Sequence, residues 1–214
     1  NFGVVPDIIV AAKGIASGMP MSACIFNEKY DIKQPGAHAT TYAGNPVTTA
    51  SALATIKAME EEKMLENAQE MGDYLIKRLN ELKERYEIVG DVRGIGLMTA
   101  IEIVKDKESK EPDQKTRNAI CMDAMKKGLL VLFCGYSSIR IIPALTGTKE
   151  QIDTAMEMLE AEIKEVALSY SLMSSYTAFV AVDSLSETAG DHGTTVSVPV
   201  PVPEGVKYET TVKE

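Results

Sequence analysis

The sequence predicts an α/β chain: strands and helices interleave, a small sheet with its helices forms an α+β unit in the middle, and the tail is irregular and β-like. Three observations lead there. Short apolar runs of strand length are interleaved with longer amphipathic segments of helical period. Glycine, proline and asparagine signals fall mostly between these runs. Near residue 167 the helical pattern gives way to serine and threonine, and later to alternating valine and proline.

In chain order, Asp7 to Ala12 and Ser22 to Phe26 read as short buried strands flanking a lysine-bearing, glycine-punctuated loop. Asn45-Pro46 is a helix start, with asparagine as N-cap and proline at the first helical position, where its missing N–H costs nothing. The Ala- and Thr-rich Val47 to Glu60 that follows is expected to pack closely against the sheet. Met64, Leu65, Ala68, Met71, Leu75, Leu79 and Leu82 then recur at three- and four-residue spacing, the apolar stripe of a core-facing helix. Ile88 to Val92, Leu97 to Val104, Leu129 to Phe133 and Ile139 to Ile142 form the strands of a small sheet, with Arg93-Gly94-Ile95-Gly96 as a tight bend. This Gly-x-Gly lacks the remaining dinucleotide spacing and marks no nucleotide site. A helix from about Gln114 to Lys127 ends at Gly128, suited to a left-handed cap. Thr148-Lys149-Glu150-Gln151 is a capping box opening a last helix, with Ile152, Ala155, Met156, Leu159, Ile163 and Val166 on one face.

Composition narrows the function classes. A formal net charge of −9 over 214 residues argues against nucleic acid and anionic membranes as partners, since both require basic patches. No apolar run approaches the roughly 18 residues of a membrane span. The start shows no signal-peptide pattern, and Asn1-Phe2-Gly3-Val4-Val5 reads as the middle of a domain. Cys24, Cys121 and Cys134 match neither a disulfide framework nor a zinc pattern and read as free thiols in a reducing cytoplasm. Cys24 and Cys121 lie in apolar stretches and are expected in the core, while Cys134 precedes a Gly-Tyr turn that would place it near a site. With only His38 and His192, a histidine metal site or a Ser/Cys–His nucleophile has little to work with; no metal is expected.

Three motifs carry chemistry. The first is Pro6-Asp7-Ile8-Ile9-Val10-Ala11-Ala12-Lys13-Gly14-Ile15-Ala16-Ser17-Gly18-Met19-Pro20, which delivers one lysine from a strand end into a loop. Alone, such a lysine is usually a solvated end-cap. A lysine amine can also form an imine with an aldehyde once it is partly deprotonated, which burial or a nearby cation favours. The second is Gly36-Ala37-His38-Ala39-Thr40-Thr41-Tyr42-Ala43-Gly44-Asn45-Pro46. The third is Ser138-Ile139-Arg140-Ile141-Ile142-Pro143-Ala144-Leu145, whose arginine has the planar fork and permanent charge suited to a carboxylate.

In this order, with matching elements between them, the motifs over roughly residues 1 to 167 resemble the class III, fold-type I aminotransferases that use pyridoxal 5'-phosphate (PLP). The likeness is particularly to archaeal-type 4-aminobutyrate aminotransferases and to amino-acid racemases on the same scaffold. The resemblance implies that Lys13 is the Schiff-base lysine. It implies that Thr41 donates its hydroxyl to the PLP phosphate of the neighbouring subunit of a homodimer; read locally, Thr41 could instead cap the helix near Asn45. Arg140 is implied to grip the substrate α-carboxylate. Residues 1–60 would then be the C-terminal piece of the PLP-binding large domain and 61–167 the small C-terminal domain. The phosphate loop, the ring-stacking aromatic and the pyridinium aspartate of the family are expected upstream of Asn1, so the chain alone is expected to be inactive.

Residues 168–214 depart from that pattern. Leu168 to Asp183 and the run Val198 to Val206 resemble the end of a von Willebrand factor A domain of inter-alpha-trypsin-inhibitor-heavy-chain-like proteins, without the Asp-x-Ser-x-Ser metal motif. The Val/Pro run cannot form a central strand, because each proline removes a ladder donor. The expected activity is transfer of an amino group from 4-aminobutyrate or a similar amino acid to a 2-oxo acid. The alternatives are an amino-acid racemase, or a non-catalytic chain whose tail is an interaction surface.

Overall fold

The computed structural model describes residues 3–37 and 39–169; the tail from Tyr170, with its von Willebrand-like and Val/Pro segments, lies outside the described residues. The fold is α/β. Strands β1 (Ile8–Ala11) and β2 (Ala23–Phe26) form an antiparallel pair, Ile8 opposite Phe26 and Ala11 opposite Ala23. A 3-10 turn, Lys13–Ala16, leaves the end of β1. Helix α1 (Pro46–Glu61) starts as its sequence requires: the Asn45 side chain accepts from the Val47 and Thr48 N–H groups, and Pro46 opens the first turn.

Two expectations fail here for one reason. β1 and β2 are exposed rather than buried, and Cys24 on β2 is exposed with them. Helix α1 buries only Ala52, and it packs on the Lys13–Ala16 turn and the next helix, not on a sheet. A two-stranded sheet has two apolar faces, and among the described residues no further layer covers them.

The remaining elements make a two-layer unit. Helix α2 (Met64–Arg85) buries Leu75, Leu79 and Leu82, while Leu65 of the same stripe stays exposed. Strands β3 (Val89–Ile95), β4 (Met98–Ile103), β5 (Leu132–Cys134) and β6 (Ser138–Ile141) form an antiparallel sheet in the order β3-β4-β6-β5. The bend predicted at Arg93 falls later: β3 runs through Arg93 and Gly94, and the turn sits at Gly96, whose φ of +51° suits glycine. The strand predicted from Leu129 begins at Leu132; Leu129 and Val131 instead pack as loop residues against the core.

Helix α3 (Gln114–Lys126) is capped by Asp113 and followed by Gly128 at φ +97°. Helix α4 (Lys149–Ser169) opens with the predicted box: Gln151 Oε1 accepts from the Thr148 N–H at 3.0 Å, and the Thr148 hydroxyl accepts from the Gln151 N–H at 3.4 Å. One core joins the layers. Ile101, Ile103 and Ile139 of the sheet meet Leu79 of α2, Ile120 and Cys121 of α3, and Leu159 and Ile163 of α4. Cys121 is buried as expected, and burial raises its thiol to about 11. Among the described residues no helix covers the opposite face of the sheet, and that face carries Ser138 and Arg140 of the third motif.

Candidate active site

Residues paired across an antiparallel sheet project to one face, so the register defines what the open face presents. One row contains Asp91, Glu102, Ser138 and Cys134; the next contains Arg93, Ala100, Arg140 and Leu132; Ile95 and Met98 begin a third. The face is therefore banded: acidic and hydroxyl, then basic, then apolar. The small Ala100 separates the two arginines and leaves a groove between them, whose walls include Ile95, Met98 and Cys134.

The two arginines differ in what holds them. Arg93 is committed: it reaches Asp91 at 3.0 Å, Glu102 at 2.7 Å and the Ser138 hydroxyl at 2.8 Å. Glu102 is fully engaged as well, its carboxyl held below the ordinary range by the Ser137 hydroxyl at 2.6 Å, with Arg93 and Ser138 adding to the effect. Arg140, by contrast, has its Nε buried with no hydrogen-bond partner among the described residues. A buried donor left unmatched costs about 1–3 kcal/mol. An anion in the groove would remove that cost.

Lys13 follows β1 at the head of the 3-10 turn, is exposed, and has a left-handed φ of +58°. It makes no hydrogen bond or ion pair among the described residues, so its amine is available. The turn behind it is fastened to α1 by two hydroxyls one helical turn apart. Ser51 donates to the Ala16 carbonyl at 2.8 Å, and Thr55 shares a hydrogen bond with Ser17 at 2.9 Å.

Thr41 lies in the turn before α1 and is exposed. The helix cap is Asn45 itself, which leaves the Thr41 hydroxyl free of the capping role that a local reading would give it. The neighbouring Thr40 and Tyr42 face Ser22 and Cys24 of the β2 segment across a shallow groove.

The three candidates do not share one cavity. The Lys13 turn meets the chain just beyond Arg140: Gly14 and Ser17 line a groove with Leu145 and Thr146. That second wall is tethered by Asn67, whose amide donates to the Leu145 carbonyl at 2.7 Å and the Gly147 carbonyl at 3.1 Å. In the sequence Arg93 reads only as part of a bend, Ser138 only as the start of the third motif, and Glu102 does not stand out. The available signal was the period-two spacing of Asp91 to Arg93, Ala100 to Glu102 and Ser138 to Arg140, which sets these residues on one strand face.

The family profile for class-III aminotransferases matches residues 1–163. The chain belongs to the class-III aminotransferase family. It is 42% identical to a leucine/methionine racemase of Thermococcus litoralis, covering 78% of this chain and 38% of that enzyme. It is 37% identical to a probable 4-aminobutyrate aminotransferase of Bacillus subtilis, covering 77% and 38%. Its fold matches a PLP-bound amine transaminase from an uncultivated Pseudomonas species with a TM-score of 0.71 and 35% identity, covering 77% of this chain and 39% of that one. The chain thus spans less than two-fifths of the length of these relatives.

Class-III aminotransferases depend on PLP. The residues of this family member fit such a group: Lys13 offers an unengaged primary amine and Thr41 an exposed hydroxyl. Among the described residues no cluster of His, Cys, Asp and Glu could hold a metal, and no helix is long and apolar enough to cross a membrane.

Proposed function

We propose that the chain forms the lysine- and carboxylate-binding part of a PLP-dependent aminotransferase that moves the amino group of 4-aminobutyrate or a similar amino acid to a 2-oxo acid. The observation that carries this reading is the contrast within one row of the sheet. Arg93 is saturated by two carboxylates, while Arg140 keeps a buried N–H without a partner. Arg140 holds the substrate carboxylate and so fixes the carbon that bears the amine. Lys13 would anchor the cofactor through its amine and, once released, would move the proton of the substrate carbon that bears the amine. PLP, when bound, supplies the electron sink for that carbanion. The Thr41 hydroxyl donates to the phosphate held by the partner subunit of a homodimer, and the enzyme works in the cytoplasm. Residues 1–60 and 61–167 divide between large and small domain, and 168–214 is a von Willebrand-like appendage that rests on sequence resemblance alone.

Racemisation is the second reading. It is favoured by the racemase relatives, the Thermococcus litoralis enzyme and an alanine/serine racemase of Pyrococcus horikoshii at 44% identity. The two share the residues named above and differ in where the proton goes: racemisation returns one to the same carbon from the opposite face, whereas transfer delivers it elsewhere and leaves that carbon as the carbonyl of the oxo product. The test fuses this chain behind the upstream portion of the Bacillus subtilis relative and adds PLP. Glutamate formed from 2-oxoglutarate and 4-aminobutyrate supports transfer. Inversion of L-leucine or L-alanine without a 2-oxo acid supports the racemase instead, and neither activity in a folded, PLP-loaded fusion refutes both.

A further inference from the structure

We propose that Arg117 is a positioning residue for Arg140: it fixes the β5–β6 hairpin turn from the helical side, so that the Arg140 guanidinium meets a carboxylate in one pose. The proposal rests on the reading of Arg140 as the carboxylate ligand. Arg117 lies on α3, only 3% exposed, on the side of the sheet opposite the groove. Its two terminal nitrogens converge on alternate carbonyls of the turn. Nη1 donates to Cys134 at 3.4 Å and Ser138 at 3.0 Å, Nη2 donates to Tyr136 at 3.0 Å, and Nε donates to the Asn118 side chain at 2.9 Å. The guanidinium carbon sits 4.9 Å from the centre of the Phe133 ring.

No carboxylate among the described residues forms an ion pair with this cation. That is a poor arrangement for stability alone, where an apolar side chain of similar volume often does as well as a buried charge. It is a good arrangement for geometry, because a rigid fork with five donors can hold several carbonyls in fixed relation. The turn is gripped from the groove side too, where Glu102 accepts from the Ser137 and Ser138 hydroxyls at 2.6 and 3.1 Å. Arg140 stands two residues beyond Ser138 on the same strand face. A hairpin clamped on both sides leaves it little freedom to tilt. Such support is what a ligand-binding side chain needs from the residues behind it.

The test uses the 214-residue chain and glutarate as probe, following the side-chain Nε–H signals of the arginines by NMR well below the melting temperature. In the parent, the Arg140 signal should shift saturably with glutarate. Arg117→Met should weaken that affinity by about tenfold or more, as expected when a binding group is misplaced by a fraction of an ångström. Arg117→Lys, which keeps the charge but reaches fewer carbonyls, should fall between. The Arg93 signal, held by Asp91 and Glu102, should not move in either variant. If Arg117→Met does not fold, Arg117→Lys and Phe133→Leu, which removes only the ring beneath the guanidinium, carry the test with the same sign. Folded variants that bind glutarate at Arg140 as tightly as the parent overturn the proposal and leave the reading of Arg140 intact. A parent whose Arg140 signal ignores glutarate overturns that reading, and the positioning role with it.

Discussion

At the residue scale, the banded sheet face explains why one of two arginines in a row is suited to an anion. Arg93 has spent its donors on the neighbouring acidic row; Arg140, one alanine away, has not. In the fused enzyme, Arg140→Lys should therefore lower kcat/KM by the worth of at least one charge-assisted hydrogen bond, about 1.5–3 kcal/mol, with little change in melting temperature. Equal kinetics in parent and variant would refute the assignment. The acidic row makes a separate prediction. Because Glu102 is held below its ordinary value of 4.5, chiefly by Ser137, it favours the folded state above that pH and loses the contribution as pH falls through its depressed value. Glu102→Gln should flatten the acid limb of a melting-temperature profile below about pH 4.5; an unchanged limb would place the acid sensitivity elsewhere. Arg140 was legible from its motif, because a motif needs only local order. The commitment of Arg93 was not, since it depends on Glu102 from another strand and Ser138 from a third.

Elements with a complete local signal were legible, and those that needed a neighbour were not. The α4 capping box, the Asn45-Pro46 start of α1 and the Gly128 end of α3 were all readable, because each cap is satisfied within a few residues of itself. Thr148→Ala should cost about 1 kcal/mol in chemical denaturation, and a change within error would show that the box adds nothing. The burial of β1 was misread because alternation and apolarity say what a strand could bury against, never whether that layer is present. Helix α2 holds a quieter constraint. A Cβ at Gly72 would collide with the backbone of Gly96 in the β3–β4 turn, so helix and hairpin touch main chain to main chain. Gly72→Ala should destabilise the fold by about 1–3 kcal/mol despite the better helix propensity of alanine. A more stable variant would mean that the contact is readily relieved.

For the whole molecule, the exposed apolar residues are concentrated in the first part of the chain. Val5 is 94% exposed and Val10 74%, while Ile8 and Ile9 on β1 and Leu53 on α1 are also uncovered. Apolar side chains left uncovered in this number seldom all stay solvated. The isolated chain should associate with rising concentration in sedimentation velocity, and Val10→Glu combined with Leu53→Glu should suppress this. A parent that remains monomeric at high concentration would contradict it. The same openness bears on the cofactor: with Lys13 and Thr41 both exposed, the isolated chain should hold PLP weakly and transfer no amino groups, as a PLP titration beside the fused enzyme would show. Tight stoichiometric binding with turnover would refute this.

The left-handed backbone at Lys13 sets the interests of the site against those of the fold. Residues with a Cβ pay about 1–2 kcal/mol for that conformation, whereas glycine adopts it freely. A Lys13→Gly chain should accordingly melt higher than the parent, and Lys13→Ala, which keeps the Cβ, should melt about where the parent does. The position is thus one where selection for thermal robustness alone would drift away from lysine. A collection of random substitutions sorted only by resistance to heat should lose the amine here, and one sorted by activity should keep it.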